Sequence, residues 1–215
     1  MTEKIVLAYS GGLDTSVAVR WLQEKYGADV ITVTVDLGQG IDLQEVANRS
    51  RLMGSVGHYD VNGVDEFAEG YVYPSIAANG LYEDKYPLST ALGRPLIAEK
   101  LVKIAEMEDA SAVAHGCTGK GNDQVRFDVT VRALNPKLRV VAPIREWNLT
   151  RDQEVRYAEE HGVHFEPKKA GFSIDQNLWG RSIEGGVLED PGFEPPAEIF
   201  EWVKPPEETP DKPMY

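Results

Sequence analysis

The run Ser10-Gly11-Gly12-Leu13-Asp14-Thr15-Ser16 puts three hydroxyls, one carboxylate and two adjacent glycines into seven residues. Adjacent glycines let consecutive backbone N–H groups converge, and converging N–H groups bind an anion. A helix starting there adds the positive end of its dipole. By itself a Ser-Gly-Gly turn serves a plain strand-to-helix corner as well as it serves a phosphate cradle. The spacing is not G-x-G-x-x-G, which excludes the dinucleotide fingerprint. Nor is it G-x-x-x-x-G-K-[ST], and the loop holds no lysine to reach a γ-phosphate. A second glycine-rich run, Gly116 to Gly121, leads into Asn122, Asp123, Gln124 and Arg126. Its glycines and Lys120 suit either an anion or a surface turn. An amide, a carboxylate and a guanidinium within one helical turn suit an amino acid, with Arg126 pairing a carboxylate and Asp123 accepting from an ammonium. The same set also makes an ordinary solvated helix face. A third stretch, Phe172 to Trp179, alternates polar with large apolar residues in an otherwise irregular region, as a substrate wall or a packed loop would.

The surrounding pattern supplies elements to hold these runs. Residues 4–9 read as a buried strand, short, apolar and ended by glycines. Four-residue apolar pairs from Asp14 onward predict a helix that stops at Gly27. Further strands are expected over 28–36, 56–61, 111–116 and 138–144. Helices are expected over 41–54 with Asp42 near the start, over 64–78, from Leu96 to about Asp109, from just after residues 117–123 to about Asn135, and over 150–162 with Thr150 as cap. Residues 79–95 read as a structured connection. Strands alternating with helices imply an α/β fold, a doubly wound and mostly parallel sheet covered on both faces. In such a sheet ligands bind beyond the C-terminal ends of the strands, where Ser10-Gly11-Gly12 falls. After about residue 163 the pattern stops, and seven of the 13 prolines lie between Pro191 and the end. We therefore expect a nucleotide-binding domain over 1–165, with 166–215 as the start of a second domain and a proline-rich segment.

The chain of 215 residues is long enough for one sizeable domain with additions. A net charge of −13 disfavours nucleic acid or an anionic membrane as partner. Cys117 is the only cysteine, so the chain has no internal disulfide, no CxxC pair and no cysteine-rich zinc site. The four histidines show no metal-ligand spacing, although His115 borders the second glycine run. No apolar run is long enough for a membrane span or signal peptide, and a cytoplasmic location is expected.

In its strand–loop–helix context, Ser10 to Ser16 resembles the pyrophosphate loop of the N-type ATP pyrophosphatases, which split ATP between the α- and β-phosphates. Ala8–Ser16 and Asp36–Gly40 are followed by Tyr82–Pro95, His115–Asp128 and Phe172–Pro191. Together and in this order they closely resemble the argininosuccinate synthase family, up to about Pro196. The resemblance implies an adenine-nucleotide alpha-hydrolase-like fold and an arginine-biosynthetic ligase. In that family ATP, citrulline and aspartate give argininosuccinate, AMP and pyrophosphate through a citrullyl-adenylate. A ureido carbonyl is a poor electrophile, and adenylation turns its oxygen into part of a good leaving group. Donors that hold charge on the departing pyrophosphate are then the main lever.

Carried over by motif position, the resemblance gives ATP to Ala8, Tyr9, Ser10, Gly11, Gly12, Leu13, Asp14, Thr15, Ser16, Val35 and Gly116. It gives aspartate to Thr118, Asn122 and Asp123, and citrulline to Tyr86, Asn122, Arg126, Ser173 and Ser182. Asp14 and Asp123 are the expected catalytic residues, acting by position and charge. Mg2+ is expected with ATP near Asp14, without a fixed protein metal site. Ala91 stands where some members have a serine. Members are markedly longer and form tetramers, so this chain reads as the first part of such a protein. Two other readings stand beside it: another pyrophosphate-loop enzyme such as a tRNA-thiolating one, which the lack of a cysteine pair and the acidic charge oppose, and a nucleotide-binding module without turnover.

Overall fold

Five parallel strands form the central sheet, in the order β3-β2-β1-β4-β5, in a computed structural model that describes residues 2–119, 121–147, 149–163, 171–210 and 212. The strands are β1 (Lys4–Ala8), β2 (Asp29–Asp36), β3 (Gly57–Asn62), β4 (Ala112–Ala114) and β5 (Arg139–Val141). Successive side chains leave opposite faces of a strand, and both faces here are covered. Ile5 and Leu7 pack under α1 (Leu13–Tyr26) with Val17 and Leu22, whereas Val6 packs with Leu96 and Leu101 of α5 (Ser89–Met107). This double burial explains why β1 and β2 are near-continuous apolar runs. The α/β doubly wound fold expected from the sequence is the one observed.

Several elements differ from the sequence expectation for identifiable reasons. The expected helix over 64–78 is broken into α3 (Val64–Phe67), a π-helical turn (Ala68–Val72) and α4 (Tyr73–Ala77). Pro74 has no N–H to offer, and Tyr73 N–H reaches back to Ala68 O, the wider spacing of a π turn. The helix expected from Leu96 starts seven residues earlier, at Ser89, and carries Pro95 inside it. The expected fifth strand ends early because Pro143 opens a short helix, α7 (Pro143–Glu146). The helices α2 (Leu43–Leu52), α6 (Asp123–Leu134) and α8 (Arg151–Glu160) follow the pattern closely. Asp42 caps α2 by accepting from Glu45 N–H, and Thr150 and Gln153 form a reciprocal capping box on α8.

The stretch expected to be irregular is a β-hairpin, β6 (Ser173–Asn177) with β7 (Gly180–Glu184). The alternation of polar and apolar residues there is the two-residue period of a strand. Short 3-10 turns follow at Gly186–Glu189, Ala197–Ile199 and Pro206–Glu208. The expected boundary between residues 165 and 166, and Lys120, lie outside the described residues.

Candidate active site

β1 and β4 are neighbours whose helices leave toward opposite faces of the sheet, so a crevice opens between their C-terminal ends. Ser10-Gly11-Gly12 leaves β1 there, and Gly116 leaves β4. Gly116 packs on the first turn of α1, where a Cβ on it would lie 2.8 Å from Thr15 Cγ2. Gly11 adopts φ +74°, and a Cβ there would meet Val46 of α2 at 3.0 Å, so both conformation and space demand glycine. Gly12 is the N-cap of α1 and provides no side-chain cap, which leaves the first-turn N–H groups open to an anion. Ser10 Oγ and Thr15 Oγ1 lie 3.1 Å apart beside that turn. Arg49 of α2 donates to Gly11 O at 2.5 Å and also pairs with Glu45.

Other residues of the loop turn inward. Tyr9, Leu13 and Ser16 are buried, and Tyr9 Oη lies 2.8 Å from Ser16 Oγ. Ser16 N–H is used by Gly12 O at 3.0 Å, and Tyr9 O accepts from Thr34 Oγ1 at 2.7 Å. These groups support the loop from beneath. Ala8 ends β1 opposite Val33. Val35 packs in the core on the α5 side of the sheet, and its carbonyl accepts from Gln39 Nε2 at 2.9 Å.

Asp14 is half-exposed in the first turn of α1 and accepts from Arg151 Nη1 at 2.5 Å. The same nitrogen lies 3.4 Å from Glu154 Oε2. Glu154 is buried, and burial followed by the adjacent Asp14 carboxylate pushes its carboxyl up to about 7, with Arg151 opposing.

A second group of side chains assembles next to the crevice. Asp123 accepts from Arg94 Nε on one oxygen and from Arg126 Nη1 on the other, both at 2.8 Å. Arg94 also reaches Asp175 of β6 at 3.1 Å. Burial works against the Arg94 charge, and the Asp123 and Asp175 carboxylates outweigh it, holding the guanidinium above its ordinary range. Asp175 stands directly across the hairpin from Ser182, and Ser182 Oγ lies 3.2 Å from Tyr86 Oη. Burial raises the Tyr86 phenol, but hydrogen bonds from Ser182, Ser89 and Thr90 overcome it and hold it below its usual value. Ser173 lies on the same hairpin face, two residues from Asp175, and is exposed. Thr118 and Asn122 are exposed along the second glycine run. The structure thus joins Tyr86, Asp123, Arg126 and Ser182 through Arg94 and Asp175, while Asn122 and Thr118 make no side-chain hydrogen bond among the described residues.

The hairpin is fixed over the site by polar contacts to two loops. Leu178 N–H donates to Leu37 O at 2.8 Å, Gln176 Nε2 to Gln39 O at 3.1 Å, and Asn177 Nδ2 to Ser89 O at 2.7 Å. Trp179 Nε1 donates to Pro87 O at 3.0 Å. His115 is buried against Phe127 and accepts from Cys117 N–H on Nδ1, which leaves its Nε2–H facing Asp128 at 3.4 Å. Burial raises the Cys117 thiol to about 12, and the side chain packs against the core on the α5 side of the sheet. Two surface recesses, of about 360 and 350 Å3, lie at the opposite, N-terminal edge of the sheet, around Ala110 and Gly57, away from all these residues.

The chain matches the family described as "Arginosuccinate synthase N-terminal HUP domain" over residues 4–164, and "Arginosuccinate synthase C-terminal domain" over residues 172–215. It belongs to the argininosuccinate synthase family. Among its relatives, the argininosuccinate synthase of Pyrococcus furiosus is 58% identical over 99% of this chain and 51% of its own length. That of Dictyoglomus turgidum is 57% identical over 94% and 51%, and one from Dehalococcoides mccartyi 56% identical over 100% and 53%. The chain spans about half the length of the curated relatives it matches. A solved structure titled a predicted subunit of tRNA methyltransferase, from Methanocaldococcus jannaschii, has 15% identity and a TM-score of 0.47, covering 74% of this chain and 76% of that one. No helix among the described residues is long and apolar enough to cross a membrane.

Sequence reasoning did not single out Arg94, Arg151 or Glu154. Arg94 precedes Pro95, which made its segment read as a connection and hid the helix that aims it. Arg151 and Glu154 sit one turn apart in α8 and look like solvent-facing charges of an ordinary helix.

Proposed function

We propose that this chain forms the ATP- and amino-acid-binding part of an argininosuccinate synthase, which joins citrulline to aspartate and releases AMP and pyrophosphate. The observation that carries this reading is the close packing of Gly116 on the first turn of α1 at the β1/β4 crevice, beside the network linking Asp123, Arg94 and Asp175. In the first step the citrulline ureido oxygen bonds to the α-phosphorus of ATP, and the bond to pyrophosphate breaks. In the second, the aspartate amine takes the activated carbon, and AMP leaves with the former ureido oxygen.

Ser10, Gly11, Gly12 and Thr15 hold the phosphates through backbone N–H groups and hydroxyls, in place before charge develops on the leaving group. Tyr9, Leu13 and Ser16 keep that loop in shape, and Ala8, Val35 and Gly116 flank the nucleotide. The oxygens of exposed Ser10, half-exposed Asp14 and buried Thr15 form a hard donor set that fits Mg2+ arriving with ATP, which would supply charge neutralisation on the phosphates. Tyr86, Arg126, Ser173 and Ser182 receive citrulline, and Thr118, Asn122 and Asp123 receive aspartate, with Asn122 shared. Arg94 fixes both Asp123 and Asp175 and so holds the two amino-acid subsites together. The enzyme is cytoplasmic and works as a homo-oligomer.

The test follows α-labelled ATP with Mg2+, with and without citrulline and aspartate. Citrulline-dependent AMP is expected. ATP bound without AMP formed in any combination would reduce the chain to a nucleotide cradle, and no ATP binding would overturn the reading of the loop.

A further inference from the structure

One cation at the mouth of the pyrophosphate loop has no part in the reading above. Arg151 opens α8 and crosses to α1, where its Nη1 donates to Asp14 Oδ1 at 2.5 Å while lying 3.4 Å from Glu154 Oε2. Its side chain is 56% exposed, whereas that of Glu154 is 9% exposed. The buried carboxylate therefore serves as a fixed anchor and the guanidinium as a movable head. Among the described residues no hydrogen bond uses Nε or Nη2 of Arg151. Helix side chains lean toward the N-terminus, which places the Asp14 carboxylate and its partner on the loop side of the first turn of α1. Across the loop, Arg49 holds Gly11 O. A chain of net charge −13 thus sets an arginine on either side of one short loop.

We propose that Arg151 is a phosphate-binding residue, which exchanges Asp14 for the oxygens of a bound pyrophosphate group while Glu154 keeps it within reach. This rests on reading Ser10–Ser16 as a pyrophosphate cradle. A guanidinium presents a planar fork that matches two phosphate oxygens, and the unused donors of Arg151 provide one. Without ligand, Arg151 neutralises Asp14. With ligand, the same cation meets the charge that develops on the departing group, and Asp14 is released for the cation that accompanies the phosphates. Arg151 thereby discriminates a pyrophosphate group from a monophosphate.

The experiment titrates the 215-residue chain with inorganic pyrophosphate, and separately with AMP, in Mg2+ by calorimetry. It compares wild type, Arg151→Ala and Arg151→Lys, with thermal unfolding measured on each. Loss of the charge-assisted contacts weakens pyrophosphate at least about tenfold in Arg151→Ala and leaves AMP unchanged. Arg151→Lys, a point charge without the fork, falls between. Wild-type pyrophosphate affinity in both variants overturns the proposal and leaves the cradle reading standing. Parallel losses for pyrophosphate and AMP mark Arg151 as structural and also overturn it. A wild-type chain that binds neither pyrophosphate nor ATP takes down the cradle reading and the proposal with it.

Discussion

Glu154 is the residue whose chemistry can be read most directly as stability. In the folded chain its carboxyl is pushed up from 4.5 to about 7, by burial first and then by Asp14. The unfolded carboxyl keeps its ordinary value. Between pH 4.5 and 7 the native state therefore holds a proton that the unfolded state has shed, and stability falls as pH rises across that window. Above pH 7 both states are ionised and the loss is complete. At about 1.4 kcal/mol per pH unit, the ceiling on this penalty is about 3 kcal/mol. Glu154→Gln keeps the shape and removes the charge. The variant should exceed wild type by less than about 1 kcal/mol near pH 5 and by about 2–3 kcal/mol at pH 8. Urea unfolding at pH 5, 6.5 and 8, followed by far-UV circular dichroism, reads this as a midpoint difference that grows with pH at constant slope. A difference between variant and wild type that is the same at all three pH values refutes the reasoning.

Gly11→Ala forces a Cβ into φ +74° and to 3.0 Å from Val46 Cγ2. It should cost about 1–2 kcal/mol in chemical unfolding and abolish ATP binding by calorimetry. Arg94→Ala leaves Asp123 and Asp175 without the cation they share. We expect a loss of about 2 kcal/mol in stability, since the group is only partly buried, and a collapse of citrulline-dependent AMP formation with ATP binding retained. Arg126→Ala should weaken citrulline at least tenfold, about 1.4 kcal/mol, in competition titrations while ATP changes little. Equal losses of both ligands would mean that the variant is misfolded.

The sequence was most informative where one physical requirement acted alone. β1, the loop after it and α1 were legible because an apolar run, a Gly-Gly corner and a four-residue period each permit few alternatives. The Thr150 cap was legible from a hydroxyl residue standing just before the helical run, while its partner Gln153 emerged only in the structure. Legibility failed where two rules competed. Pro95 is a helix breaker by propensity, yet α5 keeps it because Leu96, Leu101 and Ile104 bury their side chains on the sheet. The hairpin's alternation was visible, but its role depends on Leu37, Pro87 and Ser89, which no local pattern connects to Leu178, Trp179 and Asn177. Among site residues, motif position named Tyr86, Asp123, Arg126 and Ser182. Asp175 stood in the stretch that read as a substrate wall or packed loop, but Arg94, which bridges it to Asp123, acts through proximity in space, which spacing along the chain does not record.

The order of the strands also governs when the crevice comes into being. β1 joins β2 across a single helix, but Ile5 meets Ala112 only after two more crossovers are in place. Closing so long a loop costs chain entropy before any contact offsets it. The two lips of the crevice are therefore separated until the β1–β4 ladder forms, and folding intermediates that lack it have no site at all. A ligand that spans Gly11 and Gly116 recognises only the completed sheet. Its binding lowers the rate at which that ladder opens and leaves the rate of its first closure untouched, so occupancy of the site and the lifetime of the native chain rise together.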